Sequence, residues 1–140
     1  MISFEDLREG LELPECAKVV TREDVNAYAD AGGDQNPLHQ DDSFARGVGF
    51  EGIIAHGMFT MGHMAQCLVD WLGSVESVVR LKAGFRAPVS MGETILAGGR
   101  VISIDPEART AEVELWVKVE RDGEVDWPVK RGEADLRFPG

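Results

Sequence analysis

The segment from Gly57 to Leu72 constrains the fold more than any other part of the chain. Met58, Phe59, Met61, Met64, Ala65, Leu68, Val69, Trp71 and Leu72 cover most of the circumference of a helix. A helix that is apolar nearly all round has to be buried. It is too short to span a bilayer, and His63, Gln66 and Asp70 interrupt it. Protein must therefore cover it, and Gly73 is placed to end it. The second half of the chain supplies a cover. Val79, Leu81, Ala83 and Phe85 alternate with Arg80, Lys82 and Arg86. Ala111, Val113, Leu115, Val117 and Val119 alternate with Glu112, Glu114 and Lys118, and Ala134, Leu136 and Phe138 alternate with Glu133, Asp135 and Arg137. This period of two predicts strands. Asp105-Pro106 marks a turn between strands near Thr94–Ile104 and Thr110–Glu120, and Asp122-Gly123 is a hairpin signal. The simplest packing wraps an antiparallel sheet around the long central helix, an α+β architecture.

The first half reads as helix and loop. Thr21 is placed to cap a helix whose first turn carries Glu23 and Asp24, where acids suit the dipole. Val25, Tyr28, Ala29 and Gly32 follow at helical spacing, and Gly32-Gly33 stops the helix. Asp34 to Gln40 is expected as a loop, because Pro37 pushes Asn36 into an extended conformation. A helical turn is expected over Asp41–Arg46. No linker, repeat or low-complexity stretch divides the chain, so residues 1–140 are expected as one domain.

Charge and cysteine usage exclude several functions. Fourteen basic residues against 25 acidic ones give a net charge of −11. Duplex nucleic acids and anionic lipid surfaces both call for cations, so neither class of partner fits. The acidic start MISFEDLREG is not a signal peptide. Cys16 and Cys67 form no CxxC pattern and are expected as buried reduced thiols. These features point to a cytoplasmic protein. Three histidines without HxxxH or CxxC spacing carry no metal signature. Gly47-Val48-Gly49 lacks the register of a phosphate loop. With no GxSxG elbow, and with neither cysteine next to a histidine in sequence, covalent catalysis is unsupported.

Two short motifs can carry chemistry. Gly33-Asp34-Gln35-Asn36-Pro37-Leu38-His39 sets a carboxylate and an imidazole on either side of a rigid Asn-Pro turn. Such a pair can hold one water between them, and either group can take its proton. Pro37 reduces the entropy cost of keeping them aligned. The plain alternative is a turn with a solvated histidine. Ala55-His56-Gly57-Met58 falls where the buried helix begins. The first amides of a helix lack internal partners and face its positive end. A carbonyl placed there can polarise against the Gly57 N–H, and the plain alternative is a glycine needed for packing. His56 could donate to substrate or serve as a satisfied structural group. His63, within the apolar helix, is expected as a satisfied core or interface histidine, and Met58, Met61 and Met64 as core filler.

The two motifs together, in this order, resemble the MaoC-like dehydratases, the family of the (R)-specific enoyl-CoA hydratases. Tyr28 to Ala45 is similar to its signature segment and Ile54-Ala55-His56-Gly57-Met58 to its second block. Phe85-Arg86-Ala87-Pro88-Val89 with Gly92-Glu93 is similar to its third block, and Phe4 to Leu13 to its opening. The run His56 to Gly62 resembles most the catalytic subunit of mycobacterial-type (3R)-hydroxyacyl-thioester dehydratases. The resemblance implies a single hotdog domain that forms a homodimer, a dimer of dimers or a heterodimer with a second hotdog subunit. It implies reversible hydration of a trans-2-enoyl thioester of CoA or an acyl carrier protein to the (R)-3-hydroxyacyl thioester, with no cofactor. Asp34 and His39 would be the catalytic pair, the Gly57 amide the carbonyl donor, and Asn36 and Pro37 the support of the loop. The acyl pocket is expected from Phe44, Phe50, Ile53, Met58 and Phe59, with His56 also against substrate. Arg86, Arg80, Lys82, Lys130 and Arg131 are candidates for a cationic rim around the carrier's phosphates. Ala65 stands where certain members place a serine. Two further readings follow from the resemblance: a catalytic subunit active only beside a substrate-binding hotdog partner, and a hotdog acyl-CoA thioesterase.

Overall fold

The computed structural model describes residues 2–140. The chain runs β1 (Glu12–Val19), α1 (Arg22–Gly32), α2 (Asp42–Gly47), α3 (Gly57–Leu72), β2 (Val78–Lys82), β3 (Thr94–Asp105), β4 (Thr110–Arg121) and β5 (Glu124–Arg137). The strands form one antiparallel sheet in the order β1-β3-β4-β5-β2. The three long strands β3, β4 and β5 are sequential neighbours, as tight turns dictate. β1 and β2 close the two edges. This is the single hotdog domain that the family resemblance implies, and it agrees with the sheet-wrapped helix read from the sequence.

α3 lies across β1, β3 and β4. Met64, Leu68 and Leu72 enter the core beside Ile95 and Ala97 of β3, Val113, Leu115 and Val117 of β4, and Ala134 and Leu136 of β5. The alternation in β4 is reproduced: Ala111, Val113, Leu115, Val117 and Val119 are all buried. Burying each such branched side chain contributes about 1.5–3 kcal/mol. α3 departs from the expected helix covered all round. Only Thr60, Met64, Leu68 and Leu72 are fully buried, a stripe of every fourth residue, and Met58 is 54% exposed. One sheet covers one face of a helix, and the flanks of α3 stay partly open.

Three expectations need correction. β1 falls where the sequence reads as helix and loop. It carries Pro14, and its register shifts between Leu13 and Cys16, so no period of two runs through it. β2 ends at Lys82, and a shift between Val78 and Arg80 leaves Val79 exposed, so the alternation read from Val79 to Phe85 does not mark a buried face. Cys16 of β1 and Cys67 of α3 are not reduced thiols but form a disulfide, with Cα atoms 6.1 Å apart, within the ordinary span for such a bond. No helix among the described residues is long and apolar enough to cross a membrane.

Candidate active site

The loop after α1 is built by local hydrogen bonds. Thr21 caps α1 by accepting from the Asp24 amide at 3.1 Å. Gly33 ends the helix at φ 76°, a left-handed conformation that glycine adopts without a Cβ clash. Asn36 is extended before Pro37 and accepts from the Leu38 amide at 2.9 Å. The expected loop contains a 3-10 turn over Pro37–His39, with proline at its start, where a missing N–H costs nothing. The Asp34 carboxylate accepts from the Asn36 amide at 3.3 Å.

The second strap runs from α2 to α3. Asp41 caps α2 by accepting from the Ser43 and Phe44 amides. Asp42 accepts from the Ile53 amide at 3.0 Å and from Arg22 at 2.6 Å. The Ile53 amide first, and then the Arg22 guanidinium, hold its carboxyl below the ordinary value. Ile54 is thereby delivered to the loop. Its amide donates to the Leu38 carbonyl at 3.3 Å, and its carbonyl accepts from His39 Nδ1 at 2.7 Å. A carbonyl oxygen only accepts, so Nδ1 carries the proton and Nε2 keeps the lone pair.

His56 precedes α3 and is 2% exposed. Its ring stacks on His39, with centroids 3.9 Å apart, and Tyr28 packs against it at 4.9 Å. His56 Nε2 donates to the Asp34 carbonyl at 3.2 Å and lies 4.0 Å from the Asp34 carboxylate. Its Nδ1 is buried without a hydrogen-bond partner among the described residues. One donor atom from each of Asp34, His39 and His56 lies within 4.8 Å of the others. The residues of the two motifs thus meet in space.

Gly57 opens α3, so its amide has no partner within the helix. It lines an open cavity of about 280 Å³ with His39, Thr60, Phe85 and Arg86. A Cβ on Gly57 would lie 2.9 Å from Phe85 Cδ2, so glycine is what lets the ring lie over the helix start. The third block closes the other wall. The Ala55 amide donates to the Val89 carbonyl at 2.8 Å, and Ile54 bridges to Ser90. Arg121 fastens this turn, donating to the Pro88 carbonyl at 2.5 Å and to Glu93 at 2.9 Å.

The expected residues divide by position. Asp34, His39 and His56 come together, and Gly57 and Arg86 share the cavity with His39. Phe44, Phe50, Ile53, Met58 and Phe59 do not line that cavity. Ile53 is buried in the core, Phe44 and Met58 are about half exposed, and Phe59 packs on Tyr28. The apolar lining comes instead from Ile54, Ala55, Phe85, Ala87, Pro88 and Pro128. Most of these stand in the second and third motif blocks, which was the available signal. Pro128 is brought in by β5 and had none. Of the candidate rim cations, Arg80 is paired with Glu133 and Asp135 instead. Arg86 makes no ion pair among the described residues.

Comparison with known proteins gives the family. Residues 12–122 match the MaoC like domain. The chain is 32% identical to a 3-hydroxybutyryl-CoA dehydratase of Methylorubrum extorquens, over 99% of this chain and 85% of that protein. It is also 32% identical to an (R)-specific enoyl-CoA hydratase of Rhodospirillum rubrum, over 97% of this chain and 91% of that one. Among solved structures, a MaoC-like dehydratase superposes with a TM-score of 0.89 at 35% identity, over 98% of this chain but 42% of the larger protein. Motif, fold and relatives agree, and the chain belongs to the MaoC-like domain family.

Proposed function

We propose that the chain hydrates trans-2-enoyl thioesters to (R)-3-hydroxyacyl thioesters, and catalyses the reverse dehydration, with Asp34 and His39 as the acid–base pair. One observation carries this reading: His39, whose Nδ1 is committed to the Ile54 carbonyl, belongs to the same donor cluster as the Asp34 carboxylate, while His39 and Gly57 line one cavity. Water held by the pair adds its oxygen to C3 as the pair takes its proton. The C2–C3 π electrons move toward the thioester carbonyl, whose developing charge the Gly57 N–H and the positive end of α3 stabilise. The proton returns to C2, so the net change is one water added. Relatives named as a dehydratase and a hydratase support both directions. His56 acts as a positioning residue, because its N–H is committed to the Asp34 carbonyl. Arg86, on the cavity rim, contacts the phosphates of the thioester carrier.

The test is to follow crotonyl-CoA by loss of its enoyl thioester absorbance, with a thiol reagent present. Absorbance should fall without thiol release. Asp34→Asn and His39→Gln should each lower kcat by about 10²–10⁴. Arg86→Ala should raise KM and flatten its dependence on salt. Release of free CoA would instead identify a thioesterase. Full activity in both Asp34→Asn and His39→Gln would remove the pair from the mechanism.

A further inference from the structure

A second cluster lies between β1 and α3, away from the thioester site. Cys16 comes from β1, and His63 and Cys67 stand one turn apart on α3. His63 Nε2 lies 2.9 Å from the Cys16 carbonyl. Since that oxygen only accepts, Nε2 carries the proton, and Nδ1 presents its lone pair. Cys67 Sγ lies beside the ring, 3.9 Å from that Nδ1 and 3.6 Å from Nε2. One donor atom from each of the three residues falls within 4.8 Å of the others. Although no cysteine neighbours a histidine in sequence, the fold places one beside His63.

These are the donors and spacings of a metal centre. A tetrahedral zinc ion with nitrogen and thiolate ligands needs nitrogen–sulfur edges of about 3.6 Å and sulfur–sulfur edges of about 3.8 Å. The Cys67 sulfur, 3.9 Å from Nδ1, is already near that value, and the Cys16 sulfur lies within 4.8 Å of a ring nitrogen. Only the two sulfurs must separate, and the Cys16 and Cys67 Cα atoms, 6.1 Å apart, leave room for this by side-chain rotation. The bond from His63 Nε2 to the Cys16 carbonyl is the outer hydrogen bond that usually fixes a ligating imidazole. Cys16 and Cys67 also line an open cavity of about 550 Å³ whose wall includes Asp6, Glu15 and Asp70. That wall supplies negative charge and access for water at a fourth position.

We propose that Cys16, His63 and Cys67 form a metal site that takes a thiolate-preferring divalent cation, zinc above all, when the disulfide is reduced. Metal and disulfide are then alternative fastenings of β1 to α3. A dithiol reductant opens the bond, becoming a disulfide itself and leaving two protein thiols. Binding of Zn2+ releases both thiol protons to solvent, and His63 contributes its neutral Nδ1.

The experiment compares oxidised protein with protein reduced by a dithiol and desalted without oxygen. Each is titrated with Co2+ as a spectroscopic stand-in and then with Zn2+. Reduced protein should develop thiolate-to-cobalt charge-transfer bands and tetrahedral visible bands at one equivalent, and Zn2+ should bleach them. Oxidised protein should show neither, a comparison that needs no variant. Cys16→Ser, Cys67→Ser and His63→Gln should each weaken binding by at least about tenfold. His39→Gln, in the other donor cluster, should leave the bands unchanged. The proposal is overturned by reduced protein without bands, by reduced protein that circular dichroism shows unfolded, or by bands that persist in both cysteine variants.

Discussion

At the scale of single residues, the Gly57 position tests the site most sharply. A methyl group there meets the Phe85 ring at 2.9 to 3.1 Å. Phe85 is about half exposed, so its ring can move. Any such move away from Gly57 displaces a ring that lines the cavity with His39. Gly57→Ala should therefore fold, with a loss of stability of about 1–3 kcal/mol from overpacking. Its turnover should fall by about 10²-fold as the ring and the carbonyl donor lose their relative placement. Adding Phe85→Ala should remove the clash and restore part of the stability, measured by urea unfolding. A single variant as active and stable as the parent would show that nothing approaches this helix start closely. The turn that carries Asp34 and His39 and the helix start at Gly57 were legible in the sequence because their signals are local: a proline turn and a helix start. The tautomer of His39 was not, because it depends on the Ile54 carbonyl, fifteen residues along the chain.

The turn between β2 and β3 acts as an element, and Glu93 holds it. Its carboxylate accepts from the Ser90 amide at 2.7 Å and from Arg121, which also donates to Pro88 and Asp126. Burial pushes the Glu93 carboxyl up, but the Arg121 and Ser90 hydrogen bonds outweigh it, so the net position is below the ordinary 4.5. A carboxyl depressed by folding contributes its full stability above its unfolded value and loses it as pH falls through the folded value. Glu93→Gln should cost about 1–2 kcal/mol at pH 7. The gap from the parent should shrink by pH 3, read from urea midpoints at both values. An equal gap at the two pH values would assign the loss to packing rather than charge. The partner in this arrangement was invisible in the sequence, because Arg121 stands at the end of β4 and only the sheet brings it to the turn. α3, marked by its long apolar run between Gly57 and Gly73, and β4, marked by a clean period of two, were readable almost to their ends. β1 was not, since Pro14 and a register shift erase the alternation on which such reading depends.

On the scale of the whole molecule, the Cys16–Cys67 bond joins an edge strand to the central helix. It closes a loop of sequence separation 51. Constraining the unfolded chain over such a loop contributes about 4 kcal/mol in the chain-entropy account, a large share of the 5–15 kcal/mol (roughly) that keeps a domain folded. Besides the disulfide, β1 is held by its pairing with β3, by Leu13 in the core and by the His63 hydrogen bond to the Cys16 carbonyl. It lies at the edge of the sheet and pairs only with β3 among the described strands, and the sheet covers just one face of α3. Reduction should therefore lower the urea midpoint without changing the active-site geometry, because Asp34 and His39 lie on the loop after α1 and Gly57 stands at the opposite end of α3 from Leu72, more than two turns before Cys67. The unfolding free energy should drop by about 2–4 kcal/mol, while turnover of crotonyl-CoA by the protein that stays folded is retained. If the cluster takes zinc once reduced, Zn2+ at about a hundred times its dissociation constant should return about 2.7 kcal/mol of that loss. Zinc should do nothing for the oxidised protein and should return clearly less to Cys67→Ser. A midpoint unmoved by reduction would mean that its pairing with β3 and its packing on α3 hold β1 without the disulfide. The two sulfurs would then contribute nothing to the fold that their separation in the sequence demands.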